Sequence, residues 1–161
     1  MIKKRWIGLL IIFLIVLAIS GCVAETPEET SNTEPVAEDS LIGEDGYYTS
    51  PEDVGEYLHL YGQLPGNYLT KSEARDLGWV SEDGNLWEVT DQMSIGGDRF
   101  GNREGLLPKA DGRKWFECDV NYAGGYRGAD RVVFSNDGLV YYTEDHYESF
   151  TEIRRTDDED S

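Results

Sequence analysis

Basic residues, histidine and cysteine are all scarce in this sequence. Only 14 lysines and arginines stand against 32 aspartates and glutamates, which gives a formal net charge of −18 at pH 7. A chain this acidic does not attract nucleic acid through its overall charge, so any such function must depend on a local site. The 2 histidines and 2 cysteines offer no recognisable metal-ligand cluster.

The N-terminus has the organisation of a secretory signal. Basic residues at positions 3–5 precede an apolar run, Ile7–Ile19, which is shorter than the about 20 residues that a membrane helix needs. The run ends in Ile19-Ser20-Gly21-Cys22, which resembles a bacterial lipobox, whose cysteine is acylated. We therefore predict a lipoprotein signal peptide at 1–21 and membrane attachment through lipidation of Cys22. The alternative is a plain signal peptide with an incidental cysteine, which would give a secreted, soluble protein.

Two further segments are acidic and lack an apolar period. Residues 22–45 are rich in Glu, Thr, Pro and Ser, and such a composition cannot bury enough surface to fold. We predict a disordered tether at 22–45, a folded domain at 46–156 and an acidic tail at 157–161. If Cys22 is acylated, Cys118 has no disulfide partner and is predicted to be a small buried apolar residue.

Helix signals occupy the first half of the domain. Ser50 is a good N-cap before Pro51, and Gly62 is a plausible stop. Thr70-Lys71-Ser72-Glu73 has the form of a capping box, and the helix that it opens is predicted to end at Gly78. A short third helix is predicted at about 85–90. His59 is predicted to be an exposed, structural residue of the first helix.

Strand signals follow Gln92. Alternation over residues 114–121 places Phe116, Cys118 and Val120 on one face and Glu117 and Asp119 on the other. Further strands are predicted at 131–134, 139–143 and 150–153, the first two joined by an Asp-Gly hairpin turn. Helices followed by strands predict an α+β domain, with N-terminal helices packed on an antiparallel β-sheet.

A series of short motifs runs through the whole domain in order. It includes Leu64-Pro65-Gly66-Asn67-Tyr68, Thr70-Lys71-Ser72-Glu73-Ala74, Ser94-Ile95-Gly96-Gly97-Asp98, Asn102-Arg103-Glu104-Gly105 and Asp145-His146-Tyr147. In residue identity and spacing the set resembles the barnase-type, guanyl-specific microbial ribonucleases. The resemblance implies the microbial ribonuclease fold and an endoribonuclease that cleaves single-stranded RNA 3′ to guanosine through a 2′,3′-cyclic phosphate.

The resemblance also implies the catalytic residues. RNA carries its own nucleophile, the 2′-hydroxyl, so cleavage needs a base, an acid and cations that stabilise the phosphate. By position in the family, Glu117 is the general base and His146 the general acid, while Lys71, Arg127 and Arg131 bind phosphate. No metal and no cofactor are implied.

Guanine recognition is implied for the loop that begins at Phe100. In the family this loop presents backbone groups and a glutamate to the base, so Phe100, Asn102, Arg103 and Glu104 are the candidate substrate-binding residues. Tyr147 is expected to stack on the base. Arg103 alternatively orients the loop and offsets Glu104 without contacting RNA.

Several points depart from the barnase type or stay open. Arg99 replaces an apolar residue, Gly101 and Gly124 each replace a serine, and the domain is acidic where barnase is basic. Two other functions compete: a catalytically silent RNA- or protein-binding module on the same scaffold, and a surface lipoprotein for adhesion or for toxicity to neighbouring cells. The predicted partners are RNA, the membrane and an inhibitor protein of the barstar type, and the predicted state is an extracellular monomer.

Overall fold

The computed structural model describes residues 42–155. The predicted signal peptide, Cys22 and the acidic tail lie outside these residues. Within them, no helix is both long enough and apolar enough to cross a membrane.

Three α-helices and a 3-10 turn precede most of the sheet. They are α1 (Pro51–Tyr61), α2 (Lys71–Asp76), the turn Ser81–Asp83 and α3 (Leu86–Val89). The Ser50 side chain accepts a hydrogen bond from Asp53 N at 3.1 Å, and Gly62 ends α1 with a φ of 66°. Both ends of the first helix are therefore confirmed. The helix α2 stops at Asp76, two residues before the predicted end at Gly78.

The predicted capping box at the start of α2 is present. Thr70 Oγ1 accepts from Glu73 N at 3.3 Å, and the Glu73 carboxylate accepts from Thr70 N at 2.8 Å. These bonds satisfy two backbone N–H groups of a first turn that has no intrahelical partners for them. They fix where α2 begins, and so where Lys71 lies.

A six-stranded sheet with the order β1 to β6 follows the sequence order. The strands are β1 (Tyr68–Leu69), β2 (Ser94–Phe100), β3 (Trp115–Asp119), β4 (Arg131–Ser135), β5 (Val140–Thr143) and β6 (Thr151–Glu152). The β1 strand runs parallel to β2, and every other pair is antiparallel. The α+β class is thus confirmed, with one parallel pair that the sequence did not predict.

The sheet separates the hydrophobic core from the candidate site. On one face of β3, Cys118 packs in a buried cluster with Val54 and Leu58 of α1. On the opposite face, Trp115 packs with Leu107 and Val133. The predicted alternation of β3 is confirmed, and burial raises the pKa of the Cys118 thiol, as expected for an unreactive residue.

Two features of the periphery differ from expectation. His59 was predicted to be exposed, but it is half-buried, and its Nε2 lies 2.9 Å from Ile153 O. It therefore ties α1 to the chain after β6, which is a structural role. Residues 42–45, assigned above to the tether, contact α1: the Tyr61 and Tyr57 hydroxyls donate to Ile42 O and Glu44 O at 2.9 and 2.8 Å.

Candidate active site

Glu117 lies at the centre of the face of the sheet opposite α1. Its side chain is 12% exposed, and each carboxylate oxygen has a partner. Lys71 Nζ lies 2.6 Å from Oε1, and the Tyr147 hydroxyl donates to Oε2 at 2.6 Å. Three segments that are distant in sequence meet at this carboxylate.

The surroundings of Glu117 favour its ionised form. Burial alone raises its pKa, but hydrogen bonds from Lys71 and Tyr147 and the charges of Lys71 and Arg131 outweigh burial and hold the pKa below the ordinary value. An ionised carboxylate at neutral pH is the state that a general base requires.

Lys71 is the first residue of α2 and reaches Glu117 from there. Its backbone N–H donates to Asp98 Oδ2 at 2.9 Å, so the Asp98 side chain of β2 holds the start of the helix. Asp98 follows a register shift in β2 between Gly96 and Asp98. The bulge and the capping box together aim the Lys71 ammonium at β3.

Both candidate phosphate-binding arginines are held by Asp119, which the sequence placed on the same face as Glu117 but gave no role. Arg127 pairs with it through two hydrogen bonds of 2.6 Å, and Arg131 Nε lies 2.9 Å from Asp119 Oδ1. The Arg131 Nε–H is not directed at an acceptor, so that contact is chiefly an attraction between charges. The alternation of β3 places Asp119 on the same face as Glu117, and this was the sequence signal that could have identified it as a site residue.

His146 and Tyr147 lie in the loop that follows β5. Both have positive φ, 58° and 78°, which is uncommon for residues other than glycine. His146 is exposed, and its ring centroid lies 4.8 Å from that of Tyr147. The strained backbone therefore presents the two side chains next to each other, and the Tyr147 hydroxyl reaches Glu117.

Asp145 stabilises this loop, although the sequence did not mark it as functional. Its Oδ1 accepts from Thr143 Oγ1, Glu148 N and Ser149 N at 2.8 to 3.0 Å. These bonds, with others from Ser149, hold the pKa of Asp145 at about 2. The carboxylate satisfies backbone groups that an irregular loop leaves unpaired.

The candidate guanine-binding loop leads from the end of β2 to Leu107, which is buried. Asn102, with a φ of 40°, closes the loop through two hydrogen bonds between its side chain and the backbone of Leu107, at 2.9 and 3.1 Å. The Phe100 ring centroid lies 5.1 Å from that of Tyr147. The start of the loop therefore packs against Tyr147.

Arg103 and Glu104 are exposed on this loop. Between residues 42 and 155, neither side chain forms an ion pair or a hydrogen bond. The alternative role of Arg103, offsetting Glu104, is therefore not seen as a direct contact. Asn102 performs the orienting role instead, and the Glu104 carboxylate is available to a ligand.

Gly101 and Gly124, each at a position where the barnase type has serine, differ in how closely their surroundings pack. Gly124 has a φ of 86°, and a Cβ atom there would lie 2.7 Å from the Trp87 ring. Glycine therefore allows the chain before Arg127 to pack closely against α3. At Gly101 a Cβ would meet only the Arg103 side chain, at 3.4 Å. Arg99 stacks over Phe116, 5.3 Å from the ring centroid.

The structure brings most of the candidate residues together. Lys71 and Tyr147 contact Glu117, while Arg127 and Arg131 contact Asp119, two residues along the same strand. The charge of Arg131 acts on Glu117, and His146 lies against Tyr147. No group of three or more histidines, cysteines and acids in residues 42–155 is arranged to hold a metal ion.

A small ribonuclease needs a carboxylate, a histidine and several cations, and these groups lie on the open face of this α+β domain. The profile of a protein family described as ribonuclease matches residues 52–154, and the chain belongs to that family. It is similar to a ribonuclease of Bacillus pumilus, 50% identical over 129 residues, which are 80% of each protein.

Two other relatives match shorter stretches of the chain. A ribonuclease of Heyndrickxia coagulans is 56% identical over 103 residues, which are 64% of this chain and 94% of the relative. The guanyl-specific ribonuclease St of Saccharopolyspora erythraea is 47% identical over 79 residues, which are 48% of this chain and 74% of the relative. The barnase-type resemblance is confirmed at the level of the family.

Proposed function

We propose that this protein is an endoribonuclease that cleaves single-stranded RNA 3′ to guanosine by transesterification. The observation that carries the proposal is the ionised Glu117 carboxylate, placed beside Lys71 and Arg131 on the open face of the sheet. A base surrounded by cations suits a reaction in which a proton leaves a hydroxyl while negative charge grows on phosphate.

The reaction needs no nucleophile from the protein. Glu117 takes the proton of the 2′-hydroxyl, whose oxygen attacks phosphorus, and His146 gives a proton to the departing 5′-oxygen. Arg127, Arg131 and Lys71 stabilise the phosphate oxygens. Arginine suits this because the guanidinium has five N–H donors, so each arginine keeps donors for phosphate beside those that hold it in place. The products are a 2′,3′-cyclic phosphate and a free 5′-hydroxyl. Water then opens the cyclic phosphate with the roles of the two residues reversed.

Guanine preference is assigned to the loop from Phe100 to Glu104. The free Glu104 carboxylate can accept hydrogen bonds from guanine N1–H and N2–H₂, two adjacent donors that the other bases lack. The ordered turn at Asn102 presents backbone groups on the same loop. The name of the Saccharopolyspora relative, a guanyl-specific ribonuclease, supports the same preference.

The acid–base assignment is tested with Glu117→Gln and His146→Ala. Each is expected to lower kcat for a guanylyl dinucleotide by roughly 10²–10⁴, the usual contribution of general acid–base catalysis. The wild-type pH–rate profile should be bell-shaped, and activity should survive EDTA. His59→Ala is the matched control, because this histidine lies on α1 and contacts Ile153. Full activity in the His146 variant would refute the assignment.

We further propose an extracellular monomer that is anchored to a membrane through acylated Cys22. The support is the signal and lipobox pattern, together with the acidity of the chain, which disfavours binding to anionic membranes through charge alone. Wild type should incorporate a labelled fatty acid and Cys22→Ser should not, while kcat stays unchanged. A wild-type protein that takes up no label and is found free in the medium would contradict the anchor.

The cationic site is also where an inhibitor protein of the barstar type would bind. The proposal rests on family membership and on the cluster of Lys71, Arg127 and Arg131, which would attract an acidic partner. Gel filtration of the purified domain with and without barstar tests both the inhibitor and the monomeric state. No change in elution and no inhibition would count against the partner.

A further inference from the structure

Both oxygens of the candidate base are occupied in the free site. Lys71 Nζ contacts Oε1 and the Tyr147 hydroxyl contacts Oε2, each at 2.6 Å. With only 12% of the Glu117 side chain exposed, little of the carboxylate is open to solvent. A carboxylate oxygen can accept a second hydrogen bond, but so little of this one is exposed that an RNA 2′-hydroxyl approaching Glu117 competes for space with a partner already in place.

The two partners are not equally free to leave. Removing the Lys71 ammonium would leave a largely buried carboxylate without its ion-pair partner, which is costly, and the Lys71 backbone is held by Asp98. Tyr147 is neutral and lies on an irregular loop. Its departure leaves the charge balance of the site unchanged, so the hydroxyl is the partner that the substrate can displace.

The charges around Glu117 keep it ionised even without that hydroxyl. Arg127 and Arg131, which are near enough to act on its charge, and the contacting Lys71 supply positive charge, and the carboxylate of Asp119 is neutralised by the two arginines. Asp98 is the neighbour of Glu117 on the adjacent strand β2, and it is a further negative charge near the site. Its carboxylate accepts a hydrogen bond from the backbone N–H of Lys71. The hydroxyl therefore adjusts the basicity of Glu117 and does not decide its charge state.

We propose that the Tyr147 hydroxyl is a positioning group for the general base: it holds Oε2 of Glu117 in the free enzyme and yields that oxygen to the 2′-hydroxyl of bound RNA. This inference rests on the proposed role of Glu117. It gives Tyr147 a second task beside the stacking of its ring, and it places the two tasks on different atoms of one side chain.

The hydroxyl keeps its own proton throughout. Burial and the adjacent ionised Glu117 raise the pKa of Tyr147 well above its usual value. The proton that Glu117 receives therefore comes from the 2′-hydroxyl, and no proton passes from the tyrosine. When RNA binds, Oε2 of Glu117 therefore only exchanges its hydrogen bond from the Tyr147 hydroxyl for one from the 2′-hydroxyl.

Tyr147→Phe tests the inference, because it removes the hydroxyl and keeps the ring. The pH profile of kcat/KM reports groups of the free enzyme, and that of kcat reports groups of the enzyme–substrate complex. A hydrogen bond to a charged group contributes roughly 1.5–3 kcal/mol, so the acid limb of kcat/KM should move up by about one pH unit or more. The acid limb of kcat should not move, because the bond is already broken in the complex.

Tyr126→Phe is the matched control, since the Tyr126 side chain is 73% exposed and its hydroxyl has no hydrogen-bond partner among residues 42–155. Equal shifts of both limbs in Tyr147→Phe, or no shift in kcat/KM, would overturn the inference. Melting temperatures of both variants check the fold. Glu117→Gln separates the two proposals: if it keeps the activity and the acid limb, Glu117 is not the base and the proposed function itself fails.

Discussion

Asp119 is the single residue on which both candidate phosphate-binding arginines depend. Its side chain is 3% exposed and that of Arg131 is 4% exposed, so the charges compensate each other out of contact with water. Arg127 completes the group with its paired hydrogen bonds. A buried carboxylate here fixes two cations at the site, so the stability of the fold depends on the same arginines that we propose to bind phosphate.

The first prediction is that Asp119→Ala destabilises the protein and weakens catalysis together. Removing one member of a buried ion pair costs about 3–5 kcal/mol, because the remaining charge stays buried. Urea unfolding should show this loss, and kcat/KM should fall as the arginines lose their positions. Asp137→Ala is the control, because Asp137 also pairs with an arginine, Arg113, but is exposed. Equal losses in both variants would contradict the prediction.

The second prediction concerns Glu104, whose side chain lacks a partner within residues 42–155. Glu104→Gln should lower kcat/KM for guanylyl dinucleotides far more than for adenylyl ones, because an amide cannot accept from both guanine donors with full charge. The ratio of the two rates is the measurement. Equal loss on both substrates would mean that Glu104 supports the loop and does not read the base.

Single residues were predictable from the sequence where a motif fixed their surroundings. Lys71 lies within a capping box and Glu117 lies on an alternating strand, and both positions are as expected. The role of the Tyr147 hydroxyl was not predicted, because its partner Glu117 is 30 residues away in sequence. The partners of Asp145 are near in sequence, but they lie in an irregular loop that no periodic pattern indicates. His59 was predicted on the right helix but with the wrong exposure, since its partner at Ile153 is remote in sequence.

At the scale of elements, the loop after β5 is irregular in backbone conformation but held by several side-chain hydrogen bonds. Asp145 links Thr143, at the end of β5, to Glu148 and Ser149. The two residues with positive φ lie between these anchors. The carboxylate thus stabilises a conformation that the backbone alone does not favour.

The third prediction is that Asp145→Asn destabilises the protein in a pH-dependent way. The folded pKa of Asp145, about 2, lies below the ordinary value of 3.8. The carboxylate therefore contributes stability above pH 3.8 that is lost as the pH falls to about 2. Urea midpoints of wild type and variant should differ at neutral pH and converge in acid. A difference that persists unchanged in acid would assign the effect to the amide and not to the charge.

Elements were predictable in proportion to the regularity of their patterns. Capping residues predicted where α1 and α2 begin, and alternation predicted β3. Both signals depend only on residues that are close together in sequence. The strands β1 and β2 were not predicted individually, because β1 has only 2 residues and β2 contains Gly96, Gly97 and a register shift. Pairing with neighbouring strands, and not local propensity, makes these segments strands.

The whole molecule combines a cationic site with a strongly acidic chain. The net charge of −18 belongs to the full sequence, and acids also outnumber bases within the folded domain. We therefore expect RNA to be attracted at short range by Lys71, Arg127 and Arg131 and repelled at longer range by the rest of the surface.

The fourth prediction is a shallow dependence of activity on salt. Release of counterions from phosphate contacts makes added salt weaken binding, while screening of the acidic surface makes it strengthen binding. The slope of log kcat/KM against log salt should therefore be less steep than for a basic homologue assayed in parallel. A slope as steep as that of the homologue would show that only the local site governs association.

The candidate site is assembled from parts of the chain that are far apart: Lys71 and Glu117 are separated by 46 residues, and Glu117 and Tyr147 by 30. If these residues are the catalytic ones, we expect no fragment to be active. An incompletely folded chain, in which β3 does not yet pack against both α2 and the loop after β5, would lack the complete site. The cell that synthesises the protein would then be protected from cleavage of its own RNA until folding is finished. Cutting the chain between 76 and 115 should likewise give two harmless halves whose reassociation can be followed by the return of RNA cleavage.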